Sequence, residues 1–206
     1  MFDSFKRATN AIVSLVNRAE ANNNRAVATL APQGVIFHFL SVVNHCANRN
    51  FVLRSLSEAS VLLSKSRFLT LARNVSFADA EKSDIIIFDL KSKNIINHVN
   101  CPQNLDLHRL VYMHSSFEAV LLCHPKYAMH HFVENKALDF SLLPILESKI
   151  GPVAICEVQD LVDFVSDHTV IFVRNIGILS LGETLDQSCE RIELLEWICW
   201  QNQNNK

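Results

Sequence analysis

The sequence predicts an α/β domain in which helices cover both faces of one sheet. Short runs rich in β-branched residues alternate along the chain with segments whose apolar residues recur every three or four positions. The chain has 206 residues, of which 49% are hydrophobic and 19% are charged, so it can fill one substantial core. We therefore expect residues 1–206 to form a single domain.

Several segments have the periodicity of amphipathic helices. One of them, at about residues 4–20, is an extra helix at the N-terminus. The stretch from about Lys136 through Pro144, Gly151 and Pro152 is expected to be irregular, and a short helix is expected near Leu161 to Ser166. The remaining predicted helices run from the entrance marked by Pro32-Gln33-Gly34 to near Asn48, over roughly Leu105 to His114, and from Pro125, as first residue, to about Lys136.

The clearest predicted helix closes the chain. Thr184 and Gln187 have the spacing of a capping box, in which each side chain hydrogen bonds to the backbone of the other residue. Charged pairs such as Arg191 with Glu196 are interpreted as the solvated face of this helix. Its buried stripe is predicted to contain Leu185, Cys189, Ile192, Leu195 and Cys199.

The predicted strands are short and come in pairs. Polar turns separate the members of each pair, which is typical of hairpins. Residues 60–63 pair with 68–71, residues 85–89 with 95–96, and residues 170–173 with 178–181, whereas 119–124 and 153–156 are single strands.

Composition and spacing also bear on partners and location. The net charge is −2 and the basic residues are scattered, which argues against nucleic acid as a partner. The longest nearly apolar run, Gly34 to Val43, is too short to cross a bilayer, so no transmembrane segment is expected. Six cysteines without CxxC spacing are typical of reduced thiols in a cytoplasmic protein.

Four stretches, in order along the chain, resemble the class II aldolase and adducin family. The segments 107–112 and 119–128 resemble the family's His-x-x-Ile-Tyr helix and its His-Thr-His-Pro-x-Tyr-Ala turn. The segment 84–96 resembles a strand pair of the family, and 170–197 resembles its Arg-Asn-His-Gly turn and final helix. The resemblance implies a three-layer α/β/α fold with a mainly antiparallel or mixed central sheet.

The resemblance also implies zinc chemistry, for which this chain lacks most of the residues. Enzymes of the family hold zinc with three histidines and move protons with a glutamate, and zinc stabilises the enediolate that forms when a carbon bond breaks. The corresponding positions here are Leu122, His124, Ile176 and, for the glutamate, Asn104. Only His124 remains as a metal ligand, so no catalytic residue and no cofactor are predicted.

The family's phosphate-binding loops are changed as well. The corresponding stretches are 54–60 and Pro102-Gln103, which contain none of the four glycines of the chain. Glu58 would repel a phosphate. His108 and His114 lie on different faces of one predicted helix and are assigned no function.

Three functions remain open. The leading one is a catalytically inactive scaffold that forms a homo-oligomer, with a tetramer as the family precedent, or binds an unknown protein partner. The alternative is a zinc-dependent sugar-phosphate aldolase or epimerase whose relocated metal site uses His124 with His130, His131 or Cys123, although Cys123 should point to the opposite face of its strand. A third is a small-molecule sensor with a cleft lined by Leu122 and Ile176.

Overall fold

The fold is built on one mixed sheet. The structure of the chain, a computed structural model, describes residues 27, 30–53, 56–96 and 100–204. Within these ranges the strands are β1 Glu58–Ser64, β2 Arg67–Leu71, β3 Ile85–Asp89, β4 Asn94–Ile95, β5 Ala119–Cys123, β6 Val153–Cys156, β7 Val170–Val173 and β8 Gly177–Gly182. Their order across the sheet is β4-β3-β2-β1-β5-β8-β7-β6, and only β6 and β7 are parallel.

Helices pack on both faces of this sheet. They are α1 Gln33–Asn48, α2 Leu105–His114, α3 Lys126–Val133, α4 Ile145–Ile150 and α5 Leu185–Asn204, with 3-10 turns at Lys82–Asp84 and Val158–Asp163. One apolar cluster joins α1, α3, α4 and α5 to the first face. A second cluster joins α2 and the turn at 158–163 to the opposite face. The predicted three-layer α/β/α fold with a mixed sheet is therefore confirmed.

Side chains alternate between the two clusters along the central strand β5. Leu121 and Cys123 belong to the first cluster, whereas Val120 and Leu122 belong to the second. Strand β1 pairs with β5 in a register that sets Glu58 opposite Leu122 and Ser60 opposite Val120. The polar residues Glu58 and Ser60 therefore share the face of the sheet that α2 covers.

Most of the elements predicted within the described residues agree with the structure, but one helix was missed and a few boundaries differ. Helix α4 was not predicted, because its six residues are too few to display a helical period. Pro125 precedes α3 instead of starting it, and this helix ends at Val133 rather than near Lys136. The short helix expected near residues 161–166 is a 3-10 turn at Val158–Asp163. The helix predicted at about residues 4–20 lies outside the described residues.

The outer face of α5 is less solvated than predicted. The Glu196 carboxylate accepts the backbone N–H groups of Tyr127 and Ala128, at 3.0 and 2.8 Å, and so caps the N-terminus of α3. Arg191 donates to the Leu181 carbonyl. The prediction that Arg191 and Glu196 form a solvated face was therefore wrong, because helix packing brings both side chains onto backbone groups.

The capping arrangement at the start of α5 follows part of the prediction. The backbone N–H of Gln187 donates to Thr184 Oγ1 at 3.2 Å, as expected. The Gln187 side chain accepts from the backbone N–H of Glu183 at 2.9 Å, one residue earlier than a capping box requires. The predicted buried stripe of this helix is confirmed at all five positions.

Every helix in the described part of the chain is too short or too polar to cross a bilayer.

Candidate functional site

Four positions correspond to the family's zinc ligands and glutamate, and they lie around the C-terminal end of β5. They are Leu122, His124, Ile176 and Asn104. Leu122 is fully buried in the second apolar cluster, and Ile176, in the turn between β7 and β8, packs against the same cluster. Two of the three positions aligned with metal ligands are therefore occupied by hydrocarbon side chains that contact the core. A hydrocarbon side chain has no lone pair to offer a metal ion.

Both ring nitrogens of His124 are hydrogen bonded to the protein. Nε2 lies 2.7 Å from the Ile176 carbonyl oxygen, and Nδ1 lies 3.2 Å from Ser57 Oγ. Because a carbonyl only accepts, Nε2 must carry the proton, and Nδ1 is then the acceptor for the Ser57 hydroxyl. The Ser57 oxygen in turn accepts the backbone N–H of Leu53 at 3.1 Å. A neutral His124 thus satisfies all its partners and joins the segment before β1 to the turn before β8.

The charge state of His124 agrees with these contacts. Burial lowers the pKa of this imidazole below its ordinary value, although the Ile176 carbonyl partly offsets the shift. The backbone N–H of His124 also donates to the Phe51 carbonyl at 2.8 Å. The residue aligned with a metal ligand is therefore held as a neutral structural side chain.

Gly177 allows this close packing. Its φ is +148°, and an added Cβ would lie 2.8 Å from His124 Nε2, 3.0 Å from the Cys123 carbonyl oxygen and 3.1 Å from Leu122 Cδ1. Real Cβ atoms do not approach other atoms as closely as the first of these distances. A larger residue at this position would displace the His124 ring or the turn.

A carboxylate is present near Asn104, but it comes from β1. Glu58 accepts the backbone N–H of Asn104 at 3.0 Å and the Asn104 side-chain amide at 3.2 Å, at the start of α2. Its Oε2 lies 3.3 Å from His108 Nε2, an electrostatic contact without good hydrogen-bond alignment. The N-terminus of α2, which attracts anions, is therefore neutralised by a side chain of the chain itself.

The electrostatics hold Glu58 in its ionised form. Burial raises the pKa of this carboxyl, but the His108 ring and the backbone N–H groups of Asn104 and Gln103 outweigh that effect, so the pKa lies below its ordinary value. A carboxylate with a lowered pKa is a poor base at neutral pH.

His108 and its neighbours form a buried polar network. His108 is fully buried, and its Nδ1 lies 2.7 Å from Ser60 Oγ, which lies 2.7 Å from Tyr112 Oη. Burial raises the pKa of Tyr112 well above its ordinary value, so this phenol stays protonated. His108 thus has a structural role, because it joins α2 to β1 through Ser60 and Glu58.

Sequence reasoning missed this network, although the sequence contained a signal for it. Glu58 and Ser60 alternate with Ala59 and Val61 on a strand whose two faces both had to be covered by helices. Polar residues at such positions need buried partners, and polar partners on a neighbouring helix could have been sought.

Little space remains beside these residues. The cavity next to Glu58, which Ser57, Thr70 and Arg73 also line, has a volume of about 10 Å³. This volume is about that of one water molecule, whereas small-molecule sites occupy roughly 300–1,000 Å³. Leu122 and Ile176, which would line the cleft of a small-molecule sensor, pack in the same apolar cluster.

The residues considered for a relocated metal site lie in different surroundings. The Cys123 thiol points into the first cluster and lies 3.7 Å from the Ile178 carbonyl, as its place on the strand predicts. His130 is exposed and lies 3.2 Å from Glu134, whereas His131 is buried. Among the described residues, His124 does not belong to any group of three mutually close His, Cys, Asp or Glu ligand atoms. The residues around His124 do not fit a zinc ion.

The family model described as the class II aldolase and adducin N-terminal domain matches residues 38–202. The chain belongs to this family. A search of the curated proteins found no match.

Solved structures support the same fold for the class II aldolase and adducin family member described here. YgbL from Escherichia coli has a TM-score of 0.73 at 16% identity, over 82% of this chain and 88% of that one. An L-fuculose 1-phosphate aldolase from Glaciozyma antarctica has a TM-score of 0.70 at 18% identity, over 82% and 72% of the two chains. The corresponding aldolase from Thermus thermophilus has a TM-score of 0.69 at 16% identity, over 83% and 93%.

Proposed function

We propose that this chain is a non-catalytic member of the class II aldolase and adducin family that acts as a self-associating or protein-binding scaffold. The observation that carries the proposal is the state of His124, whose two ring nitrogens are both engaged by Ile176 and Ser57. An imidazole binds a metal ion through a free nitrogen lone pair, and in this tautomer neither nitrogen has one to spare.

The neighbouring positions support the same conclusion. The zinc chemistry that the resemblance implies needs two further ligands and a base, but Leu122 and Ile176 are hydrocarbon and Asn104 is an amide. Glu58 is the carboxylate that approaches Asn104, and its lowered pKa makes it a weak proton acceptor. The metal ligands, the base and the space for a substrate all differ from the family pattern. Several differences at one site favour a changed role over a single tolerated substitution.

The surface of α5 supports a scaffold role. Trp197 and Trp200 lie three residues apart on this helix and remain 37% and 40% exposed. Large aromatic side chains are enriched in the cores of protein interfaces, where they contribute much of the binding energy. We assign this face to contact with another copy of the chain or with a protein partner, and a homo-oligomer, with the tetramer as the family precedent, is part of the proposal.

A cytoplasmic location belongs to the same proposal. Five of the six thiols are buried, and all six are free. Reduced cysteines of this kind suit a compartment in which thiols are kept reduced.

An aldol-cleavage assay tests the proposal. The purified full-length chain would be incubated with zinc and L-fuculose 1-phosphate, the substrate in the name of two similar structures, and then with other sugar phosphates. We expect no cleavage above the rate without protein, and no difference between the native chain and the His124→Ala variant. Zinc-dependent cleavage that the folded His124→Ala variant lacks would contradict the proposal.

That contrary result would favour the alternative, a zinc-dependent sugar-phosphate aldolase or epimerase with a relocated site. The observation in its favour is that two of the similar structures are named as aldolases. Its ligands would be His124 with His130, His131 or Cys123. Variants of these three residues in the same assay would then identify the second ligand.

A further inference from the structure

Helices α1 and α5 carry two matched pairs of ionisable side chains where they pack together. His38 Nε2 lies 2.5 Å from Asp186 Oδ2, and His45 Nε2 lies 2.8 Å from Glu193 Oε1. His38 and His45 are seven residues apart on α1, and Asp186 and Glu193 are seven residues apart on α5. Seven residues correspond to about two helical turns. The two helices therefore run in the same direction, with both pairs on one seam.

A cysteine lies on this seam between the two pairs. Cys189 precedes Glu193 by one turn, and the ligand atoms of His45, Cys189 and Glu193 all lie within 4.8 Å of one another. The three side chains line one groove of about 330 Å³ between the helices. His45 is exposed, Glu193 is partly exposed and the Cys189 thiol is buried at the base of the groove. An ion could therefore reach the three ligand atoms from solvent.

A second thiol, that of Cys46, lies next to Cys189. Cys46 Sγ lies 3.3 Å from Cys189 Sγ and is fully buried. Cys189 lines the groove, whereas Cys46 does not. Cys189 is therefore the sulfur of this pair that an ion in the groove would reach.

The chemistry of the three ligand atoms selects a particular ion. A thiolate, an imidazole and a carboxylate together suit zinc, which prefers four tetrahedral ligands at about 2.0–2.3 Å. Such a shell places neighbouring ligand atoms roughly 3.3–3.8 Å apart, so small side-chain rotations would close the present arrangement around an ion. The groove leaves a fourth position open to water.

We propose that His45, Cys189 and Glu193 bind one Zn²⁺ ion that joins α1 to α5. The site is separate from the position of His124, and it does not depend on the scaffold role. Its effect is structural: the ion holds two helices of the first face of the sheet together.

Zinc must compete with the ion pairs that the same residues form. Glu193 contacts His45 and also Arg49, whose Nε lies 3.2 Å from Glu193 Oε1. The side chains of His45 and Arg49 are more than half exposed, and exposed ion pairs contribute little to stability. Binding of zinc exchanges these weak contacts for metal–ligand bonds.

Cobalt(II) provides the test, because it occupies tetrahedral zinc sites and gives an intense charge-transfer absorption when a thiolate binds it. The full-length chain, freed of metal with a chelator and kept reduced so that Cys46 and Cys189 do not form a disulfide, would be titrated with Co²⁺. We expect one equivalent to bind with this absorption, and added Zn²⁺ to abolish it, because zinc binds such sites more tightly than cobalt does.

Variants locate the ion. We expect Cys189→Ser to lack the absorption, and His45→Ala and Glu193→Gln to bind at least about tenfold more weakly, since even loss of an outer partner costs that much. Cys199→Ser, a buried cysteine in the same helix, is the matched control and should bind like the native chain. His45→Ala and Glu193→Gln alter side chains that are at least partly exposed, so they remain informative if Cys189→Ser fails to fold.

Three results would overturn the proposal. The first is a native chain that binds no Co²⁺ with thiolate absorption, and the second is an absorption that Cys189→Ser retains. The third is loss of the ion in His124→Ala with unchanged binding in His45→Ala, which would place the ion at the family position and would contradict the proposed function as well.

Discussion

His124 connects two separate parts of the chain. Its ring occupies a position compared with a zinc ligand, and its two nitrogens join the segment before β1 to the turn before β8 through Ser57 and Ile176. Leu122 and Ile176 pack in one apolar cluster, where the burial of hydrocarbon stabilises the fold.

At the same scale, Glu58 gives a prediction about stability and pH. Its carboxylate is buried and accepts hydrogen bonds from Asn104, so Glu58→Gln should lower the free energy of unfolding by about 1–3 kcal/mol at neutral pH. Because the folded pKa of Glu58 is lowered, this stabilisation is fully present above the ordinary glutamate pKa of about 4.3 and is lost as the pH falls through the lowered value.

Urea unfolding of the native chain and the variant at neutral pH and at about pH 3 measures this difference. The difference should shrink in acid. The exposed Glu118 provides the control, since Glu118→Gln should change stability little at either pH. An equal loss of stability for Glu58→Gln at both pH values would show that the shape of the side chain, rather than its charge, explains the effect.

Among the elements, the turn between β7 and β8 gives a second prediction. Gly177 has a positive φ and no room for a Cβ beside His124, so Gly177→Ala should destabilise the fold by about 1–3 kcal/mol. Gly34, in the first turn of α1, has nothing within 4 Å of an added Cβ, and Gly34→Ala should stabilise by up to about 1 kcal/mol.

Substitution by alanine should therefore lower stability at Gly177 and raise it at Gly34. Thermal unfolding of both variants measures these two changes. If Gly177→Ala were as stable as the native chain, the close contact between the turn and the His124 ring would not exist in solution.

For the whole molecule, the exposed tryptophans of α5 give a prediction about assembly. We expect the native chain to sediment as an oligomer, and the double variant Trp197→Ala/Trp200→Ala to associate at least about tenfold more weakly, because buried tryptophans dominate interface energies. Met113→Ala on α2, where the side chain is 58% exposed, is the control and should leave association unchanged. Sedimentation at several concentrations measures this, and a native chain that stays monomeric throughout would remove self-association from the proposal.

The sequence alone determined most of the secondary structure and the three layers, and it shows Leu122 and Ile176 at positions compared with zinc ligands and Asn104 at the position compared with the glutamate. Periodicity and turn residues are local properties, and the identity of a ligand at a matched position can be read directly from the sequence. Tertiary structure decided what the remaining polar side chains do. Glu58 meets His108, Glu196 caps α3 and Cys189 approaches His45 only because sheet pairing and helix packing bring together residues that are 50, 69 and 144 positions apart. No local pattern encodes such pairings, since they depend on register and on the angle at which helices pack.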